Sequence, residues 1–421
     1  MSFRKQAFLL IKTLKNRIFL YLVALLLGAG AGLIDTIFAL GLAEVSDLRY
    51  LGHSRILLGL PVIGLLIIFG YRTFSPKAQA GMHAVFTSFF QKDSSIPLAL
   101  IPLLTLSTWL THLFGGSAGR EGVAVQLGAT LGDWLSRKFP FFSKQDLLIM
   151  GVAAGFSGLF QCPLAATFFA LELFVAGHLY LRALCPTLIA SFSAYWLRTS
   201  LTHPKTTYSL LVPSLFSMSI SHFLALILLG ILCALVGLGF SRCLSFLKKT
   251  CARICSNPYW RIGLGGIVLM VLLILAHHGR YAGLGTNLID LSLHNGTIFS
   301  YDWLLKLILT CLTLSIGFQG GEVTPLLSIG ASFGAFMGPL LGLPVPMAAA
   351  LGYVAVFSSA SNTLLGPIFM AIELFDPQLS LYALLVVTIA YAFNHNESIY
   401  TDQKVAPLLS FKKFLKNPFK L

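Results

Sequence analysis

Apolar residues run through this chain in long blocks, without the alternation of strands or the one-sided stripe of a surface helix. Runs near 18–42, 55–72, 96–114, 183–199, 214–240, 262–278 and 380–393 carry few charges, and about 20 such residues cross a bilayer as one helix. Between them lie shorter segments near 146–156, 163–180, 301–316, 325–338, 344–356 and 366–375. Several are too short to cross alone, and Gly and Pro interrupt them. Irregular backbone at membrane depth is tolerated only where protein or a water-filled cavity surrounds it. The pattern predicts an all-α polytopic membrane protein with about ten to twelve crossings or part-crossings.

The short segments recur. Residues 151–174 align with 352–375 at an offset of 201; 10 of the 24 positions are identical, ending in a Glu-Leu-Phe run that begins at Glu172 and Glu373. The same 201 residues separate Glu121, in Gly115-Gly-Ser-Ala-Gly-Arg-Glu-Gly-Val123, from Glu322, in Gly317-Phe-Gln-Gly-Gly-Glu-Val-Thr-Pro325. The interval Gly279-Arg-Tyr-Ala-Gly-Leu-Gly-Thr-Asn-Leu-Ile289 stands where the first copy has its Gly81-Met82 loop. Short, interrupted helices in matching places of two repeats point to a binding site near the midplane. The expected division is a basic amphipathic helix over 1–17, a first repeat over 18–200, a linker over 201–213, a second repeat over 214–410 and a basic tail over 411–421.

Composition agrees: 56% of the 421 residues are hydrophobic and 10% charged, with a mean hydropathy of +0.83. The net charge of +14 would suit nucleic acid, but its placement excludes that partner. Lysines and arginines crowd both ends and one central loop, at Lys248, Lys249, Arg253 and Arg261. Basic residues flanking spans set orientation and meet anionic membrane lipid, so both termini and that loop are expected in the cytoplasm, with the protein in the cell membrane. No small-residue cleavage pattern follows the first apolar run, so no cleavable signal peptide is expected. The seven cysteines lack histidines at ligand spacing, so no metal or cofactor is expected. Gly28, Gly30 and Gly32 read as close helix packing, because no strand precedes them as a nucleotide loop requires.

Both central glutamates follow glycines and precede helix-compatible sequence. A helix starting there aims unpaired N–H groups and its positive dipole end at whatever lies in front, which makes an anion site without a full positive charge. An ionised glutamate in that place competes with a transported anion, and a protonated one does not. Burial raises a carboxyl pKa and N–H donors lower it, so such a residue can exchange an anion against a proton. Locally, Glu121 reads equally well as a first-turn stabiliser of its own helix. Recurrence of a rare intramembrane carboxylate favours function. Glu172 and Glu373 recur too, late in their helices, where capping or pairing explains them as well.

At these residues the chain resembles the CLC family of anion channels and proton-coupled antiporters. Gly119-Arg-Glu-Gly122 resembles that family's gating motif, with Glu121 as gate, and Phe160-Gln-Cys-Pro-Leu-Ala165 through Glu172 resembles the signature that follows. The resemblance covers nearly the whole chain and implies two inverted structural repeats with broken helices, assembled as a homodimer with one anion pathway per subunit. Two departures are informative. Chloride-transporting members carry Gly-Ser-Gly-Ile-Pro in the first anion loop; here Ala80-Gly81-Met82-His83-Ala84 puts Met82 in the serine's place. Their later loop has an aliphatic residue after its paired glycines; here Gly320 and Gly321 are followed by Glu322. Both departures are similar to the fluoride-transporting branch.

By that resemblance, fluoride leaves against inward protons, with Glu121 as gate and Glu322 as second essential carboxylate. The anion path would be lined by Gly81, Met82, Gly119, Arg120, Gly122, Gly320, Gly321, Val323, Thr324 and Tyr400. The internal proton-handling glutamate of chloride exchangers would fall near Leu173, beside Glu172, which makes Glu322 the better proton carrier. Fluoride is small and strongly hydrated, so its site needs strong donors such as the Thr324 and Tyr400 hydroxyls. Met82 offers none, and alone it reads as apolar packing. A chloride/proton exchanger or chloride channel of the same fold is the nearest alternative. An intramembrane acid–base enzyme is disfavoured, since no His-Glu-x-x-His metal motif occurs.

Overall fold

The computed structural model describes residues 3–202, 219–375 and 377–406, which form sixteen α-helices and one two-residue pair of parallel strands. The first repeat holds α1 (Phe3–Gly52), α2 (Leu60–Phe74), α3 (Met82–Phe90), α4 (Leu100–Leu113), α5 (Glu121–Lys138), α6 (Lys144–Phe160), α7 (Pro163–Leu173) and α8 (Leu184–Leu201). The second holds α9 (Ile220–Ile254), α10 (Pro258–Leu275), α11 (Thr286–Leu293), α12 (Asp302–Ile316), α13 (Val323–Leu340), α14 (Val345–Ser361), α15 (Leu365–Leu374) and α16 (Ser380–Ala392). Strands β1 (Val175–Ala176) and β2 (Lys404–Val405) tie the chain's last described residues to the end of α7. The basic tail and residues 203–213 of the expected linker lie outside the described residues. No break marks residue 17, because α1 continues through it.

Among the described residues, five helices are long and apolar enough to cross a membrane. The helix count exceeds the expected ten to twelve because several helices are too short to register as apolar spans. One of them, α11, lies in the Gly-rich interval after α10 and was not expected as a helix. Each helix has a counterpart eight places on, down to local stops. Gln161 ends α6 and Asn362 ends α14, both left-handed at φ 55° and 53°. Proline in the first turn of α7 and of α14 costs no hydrogen bond there.

Leucines and valines such as Leu26, Val62, Leu235 and Leu264 face outward, while the centre is tight and small-residued. Backbones touch where α5 meets α6 and where α13 meets α14. A Cβ on Gly128 would lie 2.1 Å from the Gly151 carbonyl oxygen, and one on Gly330 would lie 2.2 Å from that of Gly352. Without lipid-excluding drive between helices, such close approach is what holds them together.

The repeats also cap one another. Glu172, at the end of α7, accepts the N–H groups of Leu364, Leu365 and Gly366 at 2.7–2.9 Å, at the start of α15. Glu373, at the end of α15, accepts those of Leu164 and Ala165 at 3.0 and 2.8 Å, at the start of α7. Helix starts buried in a membrane need such acceptors. The exchange is reciprocal, as a two-fold relation between the repeats requires, and it identifies both residues as caps.

Candidate functional site

The loops before α5 and α13 meet head-on. Gly119 and Gly321 form an antiparallel bridge, with the Gly119 N–H donating to the Gly321 carbonyl at 2.6 Å and the Gly321 N–H returning at 2.8 Å. Only glycine permits this. A Cβ on Gly119 would lie 2.7 Å from Pro325, and one on Gly321 would lie 2.8 Å from the Gly122 nitrogen. Two helix starts are thereby brought together at the centre of the molecule.

Glu121 is the first residue of α5, wholly buried, and it does not cap its own helix. Its carboxylate reaches across to α13, where it accepts the Thr324 N–H at 3.0 Å and the Thr324 hydroxyl. The Arg120 guanidinium approaches from behind at 3.4 Å. A carboxylate thus sits where the α13 dipole and its unpaired donors would hold an anion. Val323 and Thr324 are buried beside it, and Gly122 lies against Gly321.

Glu322 faces elsewhere. It precedes α13, makes no capping hydrogen bond, and its side chain is 15% exposed. It lines a vestibule of about 310 Å³ together with Gly81, Met82, His83, Gln126, Lys248, Gly320, Tyr400 and Asp402. The Lys248 ammonium stands 3.9 Å from it. Tyr400 is buried against Phe86, and its hydroxyl has no hydrogen-bond partner among the described residues. Met82 opens α3 after Gly81, whose φ is +58°. The structure therefore splits the expected lining. Gly119, Arg120, Gly122, Gly321, Val323 and Thr324 surround Glu121, whereas Gly81, Met82, Gly320 and Tyr400 join Glu322 in the vestibule.

Several residues here were not read from the sequence. Lys306 of α12 is fully buried and donates to the Ser117 hydroxyl oxygen and to the Tyr281 and Gly283 carbonyls at 2.7–3.0 Å. It steadies the loop leading to the gate, and as a charge inside an apolar run it was detectable. Asp302 likewise pairs with Arg280 at 2.8 Å and accepts the Tyr281 hydroxyl. Gln126 and Asp402 gave no signal, and Lys248 and His83 were read only within their local stretches, because only the fold carries the four to one mouth. Asn287 donates to the Arg280 carbonyl at 3.0 Å and so caps its loop.

A duplicated helical membrane fold with two helix starts converging on a carboxylate defines an anion-transporting protein. The chain belongs to the CLC family: the family model described as voltage gated chloride channel matches residues 63–395. A "Chloride/fluoride channel protein" of Pseudomonas syringae pv. tomato is 33% identical over 91% of this chain and 85% of its own length. The crystal structure of a CLC-type fluoride/proton antiporter superposes with a TM-score of 0.89 at 44% identity, covering 92% of this chain and 98% of that one. A slow cyanobacterial Cl⁻/H⁺ antiporter shares the fold at a TM-score of 0.78 and 19% identity, with coverage of 91% and 96%.

Proposed function

We propose that this protein is a fluoride/proton antiporter of the cell membrane, exporting fluoride against inward protons, with Glu121 as gate and Glu322 as second essential carboxylate. The observation that carries the reading is the split between the two glutamates. One fills the anion position at the start of α13, and the other, next in line before that helix, faces the open vestibule. Protonation of Glu121 weakens its hold on the Thr324 donors and frees them for the anion. Fluoride entering from the vestibule meets the Tyr400 hydroxyl and the Lys248 ammonium, strong donors that offset the loss of its water. A proton on Glu322 removes the negative charge that would otherwise repel it. The basic residues at the end of α9, Lys248 among them, support a cytoplasmic vestibule and cytoplasmic termini by the positive-inside rule.

The 44% identity to a fluoride/proton antiporter structure supports the fluoride branch, as do Met82 and Glu322. A homodimer with a pathway in each subunit completes the proposal. Liposomes loaded with fluoride or with chloride test the anion. Fluoride efflux should exceed chloride efflux by at least tenfold, corresponding to about 1.4 kcal/mol of discrimination, and equal efflux would overturn the branch assignment in favour of a chloride exchanger.

A further inference from the structure

The mouth of the vestibule holds an ion pair that the transport reading leaves unused. His83, the second residue of α3, meets Asp402 with its Nδ1 2.8 Å from the carboxylate oxygen. Both line the vestibule, with side chains 65% and 34% exposed. Exposed pairs add little stability, so the pair's importance lies in the charge it presents. Its position is specific: His83 follows Met82, and Asp402 follows Tyr400 by two residues. The pair therefore bridges the two segments that bring Met82 and Tyr400 to the vestibule.

The charged groups facing this cavity can be enumerated from each element around it. Helix α9 contributes Lys248, the loop before α13 contributes Glu322, the segment after α16 contributes Asp402, and α3 contributes His83. The remaining polar residues, including Gln79, Gln126, Gln319, Tyr400 and Thr401, are neutral near pH 7. With both carboxylates ionised and His83 neutral, the cavity carries a net charge of −1. With His83 protonated the net charge is zero. Thr87 on α3 lies 3.5 Å from the other ring nitrogen; its hydroxyl donates to that nitrogen when the ring is neutral and accepts from it when the ring is protonated. Lys404 is turned to the Phe90 ring, away from the cavity.

We infer that His83 and Asp402 set the cytoplasmic-side affinity for the anion, His83 acting as a second proton-sensing residue that admits fluoride when protonated. This rests on the fluoride/proton reading above. Histidine is the side chain whose charge most readily changes near physiological pH. Neither residue touches the gate, so the pair acts on binding and leaves the exchange step itself to Glu121 and Glu322.

Fluoride binding to the purified full-length protein, measured by titration calorimetry at pH 6 and pH 8, tests this. A unit charge at the distance of such a mouth changes anion occupancy by roughly threefold to tenfold. His83→Gln should match the unaltered protein at pH 8 and bind fluoride about threefold to tenfold more weakly at pH 6. Asp402→Asn should move the opposite way, binding more tightly than the unaltered protein at pH 8. Comparing variants at one pH isolates the pair, because every other group is common to all samples. Unchanged affinity in His83→Gln at pH 6, or weaker binding in Asp402→Asn at pH 8, would overturn the inference while leaving fluoride/proton exchange intact. Absence of fluoride binding in the unaltered protein would instead remove the transport reading and this inference with it.

Discussion

Single residues divide the labour at the centre of this protein. Glu121 is held by donors from the other repeat, so its charge state governs whether those donors are free. Glu121→Gln fixes a neutral side chain there, and proton-coupled exchange should fall at least a hundredfold, measured as fluoride efflux with simultaneous proton uptake; about 2.7 kcal/mol of barrier corresponds to that loss. Glu322→Gln should abolish proton uptake, and exchange at the unaltered rate would remove Glu322 from the mechanism. The glutamates were legible because intramembrane carboxylates are rare and these two are spaced as the repeat is. The Thr324 contact of Glu121 was not, since it joins residues 203 apart through a loop pairing no local pattern announces. Local sequence suited a first-turn role on α5 equally well; the side chain instead reaches α13.

At the scale of elements, the account depends on helix starts held in place across the pseudo-symmetry. Gly321→Ala would drive a methyl group to 2.8 Å from the Gly122 nitrogen. Overpacking of this kind costs about 1–3 kcal/mol, and transport should fail with it even where the protein still folds. Glu172→Ala would leave three buried N–H groups of α15 unpaired, lowering stability by about 1–3 kcal/mol, read from unfolding in detergent. The number of fluoride ions exchanged per proton should stay unchanged in Glu172→Ala, and a change there would return Glu172 to the proton route. Most helices were visible as apolar runs; the boundaries of α4 and α8 fell close to the observed ones, whereas α1 and α9 extend well beyond the runs at 18–42 and 214–240. The Gly-rich interval hid α11, whose eight residues are too few to register a period. The recurrence of Glu172 and Glu373 was visible, but each glutamate's target lies in the opposite repeat, which sequence distance conceals.

For the whole molecule, duplication explains why a chain with so few charges can hold an anion. Two copies supply two helix starts, and antiparallel meeting of their loops aims both at one place. Apolar faces belong to lipid, and two of the charged residues inside are held by several partners: Lys306 by three oxygens and Asp302 by Arg280 and Tyr281. In the open vestibule Glu322 is paired loosely, with the Lys248 ammonium 3.9 Å away. That asymmetry separates the second repeat from the first despite their common plan. Antiport requires that a gradient of one ion drive the other uphill, which a channel cannot do. The decisive measurement uses liposomes with equal fluoride on both sides and a proton gradient imposed across the membrane, with fluoride followed by a selective electrode. The account predicts that fluoride accumulates on the acidic side, and that Glu322→Gln vesicles show no accumulation. Fluoride remaining equal on both sides in the unaltered protein, while still flowing down its own gradient, would contradict it.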